Sequence, residues 1–139
     1  MITEYATYIL AIIALMVAMA SIFTSIQKSI EDTYISIKMQ DLLEKYASYI
    51  AYEYKIAKES ESNLIVSNIS LYLPRKIAKY DYAIFFNNTS KNLCIRSINK
   101  QHCIKLAIDA TISGVAHSAY DTHYIETRKI NNQILIKIH

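Results

Sequence analysis

The hydrophobic positions of this chain keep two different rhythms, and the change falls near residue 60. From Met1 to about Ile26 the chain is apolar on every side. Ile9 to Phe23 runs through Ile, Leu, Ala, Met and Val with a single Ser and neither Pro nor Gly. At about 1.5 Å of rise per residue, roughly 20 such residues match a hydrocarbon core ~30 Å thick. The segment therefore predicts a helix able to span a membrane or to fill the dry core of a helical assembly. Beyond Phe23 the chain turns polar without any helix breaker. Ile35, Met39, Leu42, Leu43, Tyr46, Tyr49 and Ile50 recur at three- and four-residue steps, while Glu31, Lys38, Asp41, Glu44, Lys45 and Lys55 fall off that stripe. This is amphipathic helix. One helix is expected from about Thr3 to Lys58, roughly 80 Å long. Lys55 and Lys58 lie near its C-terminal end, where cations are favoured. The stripe is too rich in Tyr and Ile to face water alone, so a folded domain is expected to pack on it.

After Ser60 the apolar residues gather into short runs bounded by Asn, Ser and Lys. Tyr80 to Phe86, Leu93 to Ile98, His102 to Ile108, Tyr120 to Arg128 and Gln133 to Ile138 each read as a strand. Asn131-Asn132 supplies a tight turn between the last two, because Asn tolerates left-handed backbone. The expectation is an α+β fold with an antiparallel sheet of four or five strands whose apolar face lies on the helix. The chain then divides into an apolar helix over 1–26, its amphipathic continuation over 27–60, and a β-domain over 61–139.

Composition narrows the function. In the first 26 residues Glu4 is the only acidic or basic side chain, which argues against an ordinary soluble enzyme. The net charge of +3 comes from Lys and Arg scattered among Asp and Glu from Lys28 onward. No basic face of nucleic-acid type stands out, so nucleic acid is not an expected partner. With one Gly and one Pro in 139 residues, a phosphate-cradling Gly loop is not possible. Scarce Gly beside abundant Ile, Tyr and Lys hints at a heat-adapted source.

Within the apolar helix, Ala6, Ala11, Ala14, Ala18, Ala20 and Ser21 recur among large aliphatics, and Ala14 with Ala18 forms a small-xxx-small pair that allows close helix approach. The competing reading is that Ala is simply a good apolar helix former. Glu4 sits at the positive end of the helix dipole, within reach of an α-amino group, or else marks the membrane surface. A secretory signal peptide would open with Lys or Arg and break after a cleavage box. Ala18-Met19-Ala20 fits such a box loosely, but the helical pattern continues past it.

Cys94 and Cys103 lie on consecutive strands that would pair around Ser97 to Gln101. A cross-strand disulfide is reasonable there and implies an oxidising compartment. Two unlinked thiols, or a metal site with His102, are the alternatives, the last lacking paired-ligand spacing. Three acceptor sequons begin at Asn68, Asn87 and Asn88, each placed in an exposed turn, and they agree with an external domain. No catalytic constellation is found. His102, His117, His123 and His139 are spread along the chain and read as solvated surface, with Asp121-Thr-His123 the one stretch to inspect. No cofactor, metal or small-molecule substrate is expected.

An apolar helix with an early Glu4, running into an amphipathic half that supports a small sheet, resembles the type IV pilin-like proteins, particularly the archaeal ones. Leu73-Pro-Arg-Lys-Ile77 followed by Tyr80-Asp-Tyr is loosely similar to the entry of the β-domain in the secreted archaeal members. The resemblance implies a homopolymer whose apolar helices form the filament core and whose sheets form its coat, after a stage in the membrane. Glu4, Ile9, Leu10, Ile13, Ala14, Leu15, Val17 and Ala18 would be the assembly positions, with Glu4 pairing with the Met1 amine of a neighbour. Family precursors carry a short basic leader before the helix. Lys and Arg here lie only after the apolar segment, which by the positive-inside rule would hold the β-domain in the cytoplasm; a removed leader would reverse that asymmetry. The other expectation is a single-pass anchor whose outer domain binds a surface layer or an archaellum-type machine.

Overall fold

The computed structural model describes residues 1–61, 63–120 and 122–139. Helix α1, Ile2–Glu59, opens the chain. Among the described residues seven strands follow: β1 (Ile65–Leu71), β2 (Tyr82–Asn87), β3 (Asn92–Ser97), β4 (Lys100–Lys105), β5 (Thr111–His117), β6 (His123–Ile130) and β7 (Gln133–Ile138). The α+β layout is as expected, but the strands outnumber the expected four or five. Both β1 and β5 join the sheet, β4 stops at Lys105, and β6 begins three residues after Tyr120 and runs on to Ile130.

The chain divides into two compact units, Met1–Tyr34 and Ile35–His139. The first is helical, and its side chains are exposed all round apart from partial cover at Glu31 and Asp32. It belongs to the one helix among the described residues that is long and apolar enough to cross a membrane. Met1 caps it through its carbonyl, which accepts from the Tyr5 N–H at 3.2 Å. Within the apolar stretch the hydroxyls of Thr7, Ser21 and Thr24 donate to the carbonyls of Thr3, Val17 and Ala20 at 2.7 to 2.9 Å. These polar groups are satisfied inside the helix and lower its cost of sitting in an apolar medium.

In the second unit the later part of α1 gives Ile35, Met39, Leu43, Tyr46 and Ile50 to the core, where they meet Ile84, Leu93, Ile95, Ile112, Ile125, Ile136 and Ile138 from the sheet. Each fully buried aliphatic side chain of this kind contributes about 1.5–3 kcal/mol. Leu42 and Tyr49 of the expected stripe are only half-buried, whereas Ala47, Glu53 and Ala57 join the buried set. The helix ends where the Ser60 carbonyl accepts from the buried Lys129 ammonium at 2.7 Å. A cation at that place complements the negative helix end.

Strand order is β1-β6-β7-β5-β2-β3-β4. All neighbours are antiparallel except β5 and β7. Strand β5 is shared: Thr111 to Gly114 pair with β7, then Val115 to His117 pair with β2. Asn131 and Asn132 take φ of 48° and 65°, making the tight β6–β7 turn. Between β1 and β2 the chain folds back at a bridge of Ile77 with Tyr80, with two backbone bonds of 3.0 Å. Tyr82 fastens this stretch by donating its hydroxyl to the Pro74 carbonyl at 2.6 Å.

Candidate assembly helix and disulfide-linked sheet edge

The expected assembly residues Glu4, Ile9, Leu10, Ile13, Ala14, Leu15, Val17 and Ala18 all lie on α1 and are all exposed. Helical spacing sorts this surface into stripes. Glu4, Thr7, Ala11, Ala14, Ala18, Ser21 and Ser25 follow alternating steps of three and four, so after Glu4 one face carries only small side chains. The next stripe, about 100° round the helix, is bulky: Tyr8, Ile12, Leu15, Met19, Ile22 and Ile26. A groove of small side chains therefore runs beside a bulky ridge on the exposed surface of the helix. Because a straight helix drifts about 20° per heptad against such a stripe, close packing along its length requires a left-handed supercoil. Tyr5 and Tyr8 stand exposed at one end of the apolar stretch and Lys28 at the other, residue types suited to the two boundaries of a hydrocarbon layer.

In the sheet, Cys94 and Cys103 are direct cross-strand partners in β3 and β4 and are joined by a disulfide, with Cα atoms 4.1 Å apart. Such closeness marks a pair that does not exchange backbone hydrogen bonds. Cys94 is buried and Cys103 exposed, so the bond ties the outermost strand to its inner neighbour.

The sequons do not share one setting. Asn87 and Asn88 lie at the β2–β3 turn, but Asn68, expected in a turn, is an exposed residue in the middle of β1. The Asn87 side-chain oxygen accepts from the N–H groups of Thr89 at 3.0 Å and Ser90 at 3.3 Å and so shapes the turn. Asn88 is exposed beside it.

The histidines also differ from expectation. His123 is not surface but buried, with Nδ1 unpartnered among the described residues. Burial holds its pKa below the ordinary value, against the opposing pull of backbone bonds to Tyr120 and His139. Asp121, two residues earlier in the sequence, lies outside the described residues. His139 stacks on Tyr124 with ring centroids 4.1 Å apart and places Nε2 3.5 Å from Glu126, which also pairs with Arg128. The bond from Arg128 is the main reason the Glu126 carboxyl is held below the usual range. This cluster holds His139 against the outer face of β6. Among the described residues no three His, Cys, Asp or Glu side chains converge in a way that could hold a metal ion.

Sequence reasoning missed the buried Glu53, His123 and Lys129. Glu53 was findable, since it follows Tyr46, Tyr49 and Ile50 at helical steps on the buried stripe. No family model matches the chain, and no curated protein or solved structure matches it either.

Proposed function

We propose that this chain is the structural subunit of an extracellular filament of the type IV pilus kind, assembled by packing of its apolar helices after a stage in the membrane. The observation that carries the reading is the wholly exposed apolar helix with a small-residue groove beside a bulky ridge. A lone anchor needs apolarity, but it has no use for that groove. Glu4 at the head of the groove would meet the Met1 amine of a neighbour, so the charge would be paired in the apolar core. The Cys94–Cys103 disulfide supports an oxidising, external location for the β-unit. Exposed Asn88 and Asn68 would then be available for glycosylation, and Asn87 less so because its side chain is engaged in the turn. The partner is the chain itself, and the role is mechanical rather than enzymatic.

The alternative, a single-pass anchor whose outer domain binds a surface-layer or archaellum-type partner, uses the same helix and disulfide. Glu4→Ala and Ala14→Leu separate the two. Both substitutions should abolish filaments seen by negative-stain microscopy of sheared cell surfaces. An anchor would keep its membrane localisation and partner with either change, and finding only detergent-soluble monomer of the native chain would overturn the filament reading.

A further inference from the structure

The sheet is open, and its two end strands are unlike. From Asn63 through Leu73, the stretch that contains β1, there is no charged residue and no Pro. Edge strands are normally protected by such residues, or by a bulge or a covering element. Strand β4 carries Lys100 and Lys105 at its two ends.

Hairpin geometry decides which backbone groups point outward. Ile130 and Gln133 flank a two-residue turn, and the flanking pair of such a turn exchanges hydrogen bonds. The even-numbered residues of β6 therefore bond to β7, in agreement with the reciprocal bonds of Tyr124 and His139 at 3.3 and 3.1 Å. The odd-numbered ones bond to Ile65, Ser67, Ile69 and Leu71 of β1. Val66, Asn68 and Ser70 are left with their N–H and C=O groups on the free side. The same counting from Ser97 and Lys100 assigns Lys100, His102 and Ile104 to β3 and leaves Gln101, Cys103 and Lys105 facing out from β4.

Strand direction supplies the second constraint. Every neighbouring pair reverses direction except β5 with β7, so β1 and β4 run opposite ways. A second copy set beside the first in the same orientation thus brings β4 against β1 antiparallel. The third constraint is facing. Leu71 in β1 and Ile104 in β4 pack on the core side, so the outward-bonding residues of both strands put their side chains on the opposite, exposed face. The core sides of the two sheets stay aligned.

We infer that β1 of one copy pairs antiparallel with β4 of the next, with Val66 opposite Lys105, Asn68 opposite Cys103 and Ser70 opposite Gln101. The pairing rests on the filament reading and adds a sheet contact to the helix contact. All three pairs are of the hydrogen-bonded kind, giving about six backbone bonds between copies. Two β1 edges also fit one another, but that contact is isologous and closes at a dimer. Two β4 edges would gather the lysines of both copies in one short ladder. Only β1 with β4 repeats without end. The disulfide gains a purpose here, because it secures the strand that bears the load between copies.

The test uses the full-length chain in membranes of the assembling cell. Val66→Cys together with Lys105→Cys, under mild oxidation, should give a ladder of covalent oligomers on a non-reducing gel, and Val66→Cys alone should give monomer. Dimers from Val66→Cys alone would establish the isologous pairing and overturn the proposal. Asn68→Pro removes a free-side N–H without touching a bond to β6, and it should cut the filament yield about tenfold, roughly 1.4 kcal/mol per contact. Asn68→Gln, which removes the sequon and keeps the N–H, should leave the yield unchanged. Filaments without a ladder, or undiminished in Asn68→Pro, would overturn the edge pairing while the filament reading stands. Neither filaments nor ladder from any form would overturn both.

Discussion

Gly114 and Ile138 approach more closely than any side chain at the first would allow: a Cβ on Gly114 would lie 2.0 Å from the Ile138 carbonyl oxygen. The chain's only glycine is also at φ 98°, in left-handed backbone, and sits where β5 leaves β7 for β2. Gly114→Ala should therefore strain the backbone and push apart the two halves of the sheet at once, with a loss of about 3 kcal/mol or more. Chemical denaturation of the purified chain, followed by circular dichroism, measures it. A loss below about 1 kcal/mol, the cost of an ordinary surface change, would contradict this account.

Removing the disulfide should act on one place. Replacing Cys94 and Cys103 together with Ala releases a short loop and is expected to cost about 2–3 kcal/mol. The loss should concentrate in β4, an end strand that pairs with β3. Hydrogen exchange should show the β4 amides that bond to β3 losing protection ahead of β6 and β7; uniform loss across the sheet would refute the local effect.

Ile98 carries the opposite expectation. It occupies φ 53° in the β3–β4 turn, a region that suits Asn or Gly and disfavours a β-branched side chain, and it is about half exposed. Ile98→Asn should raise stability by about 1 kcal/mol, seen as a higher denaturation midpoint with unchanged slope. An unchanged midpoint would mean the turn holds no such strain.

Acid should weaken the β-unit in two stages. The His123 imidazole is held below its ordinary value of 6.5 by burial, so the unfolded chain binds the extra proton first. The stabilising effect is complete above 6.5 and lost as pH falls through the lower, folded value. Glu126, held below 4.5 chiefly by Arg128, gives the same sign further down: its contribution is present above 4.5 and lost as pH falls through the folded value. Stability measured from pH 8 to 4 should slope downward from the His123 region, and His123→Asn should flatten that first part alone.

The helix was legible because its evidence is long and redundant: fifty-eight residues without a breaker, with a stripe at helical steps. The strands show where such evidence thins. Strand β1 escaped because Asn68, Ser67 and Ser70 look like turn residues, and an end strand need not be apolar enough to correct that impression. Strand β5 escaped because Ser113 and Gly114 interrupt it where it exchanges partners. His123 was misplaced for a related reason. The inward residues of β6 are His123, Ile125, Thr127 and Lys129, and the outward ones are Tyr124, Glu126, Arg128 and Ile130, so hydrophobic alternation barely distinguishes the faces. Only the pairing with β7, where Ile134, Ile136 and Ile138 are buried, tells inside from outside. The positions proposed for assembly were readable, Glu4 apart, as apolar residues of a helix, but the groove and ridge emerge once the helix is laid out as a surface.

The hydroxyls of Thr7, Ser21 and Thr24, each bonded back to its own turn, have a consequence for traffic between surroundings. Beyond Glu4, a helix that carries its polar contacts with it would exchange only nonpolar neighbours if it traded acyl chains for sister helices. Such a trade is close to isoenergetic per unit of surface, because lipid tails and aliphatic side chains are alike as solvents. For that apolar surface, entry into a bundle and return to the bilayer would then be comparably easy, and the direction of travel would be set by the charge of Glu4, by small differences in fit or by an external motor.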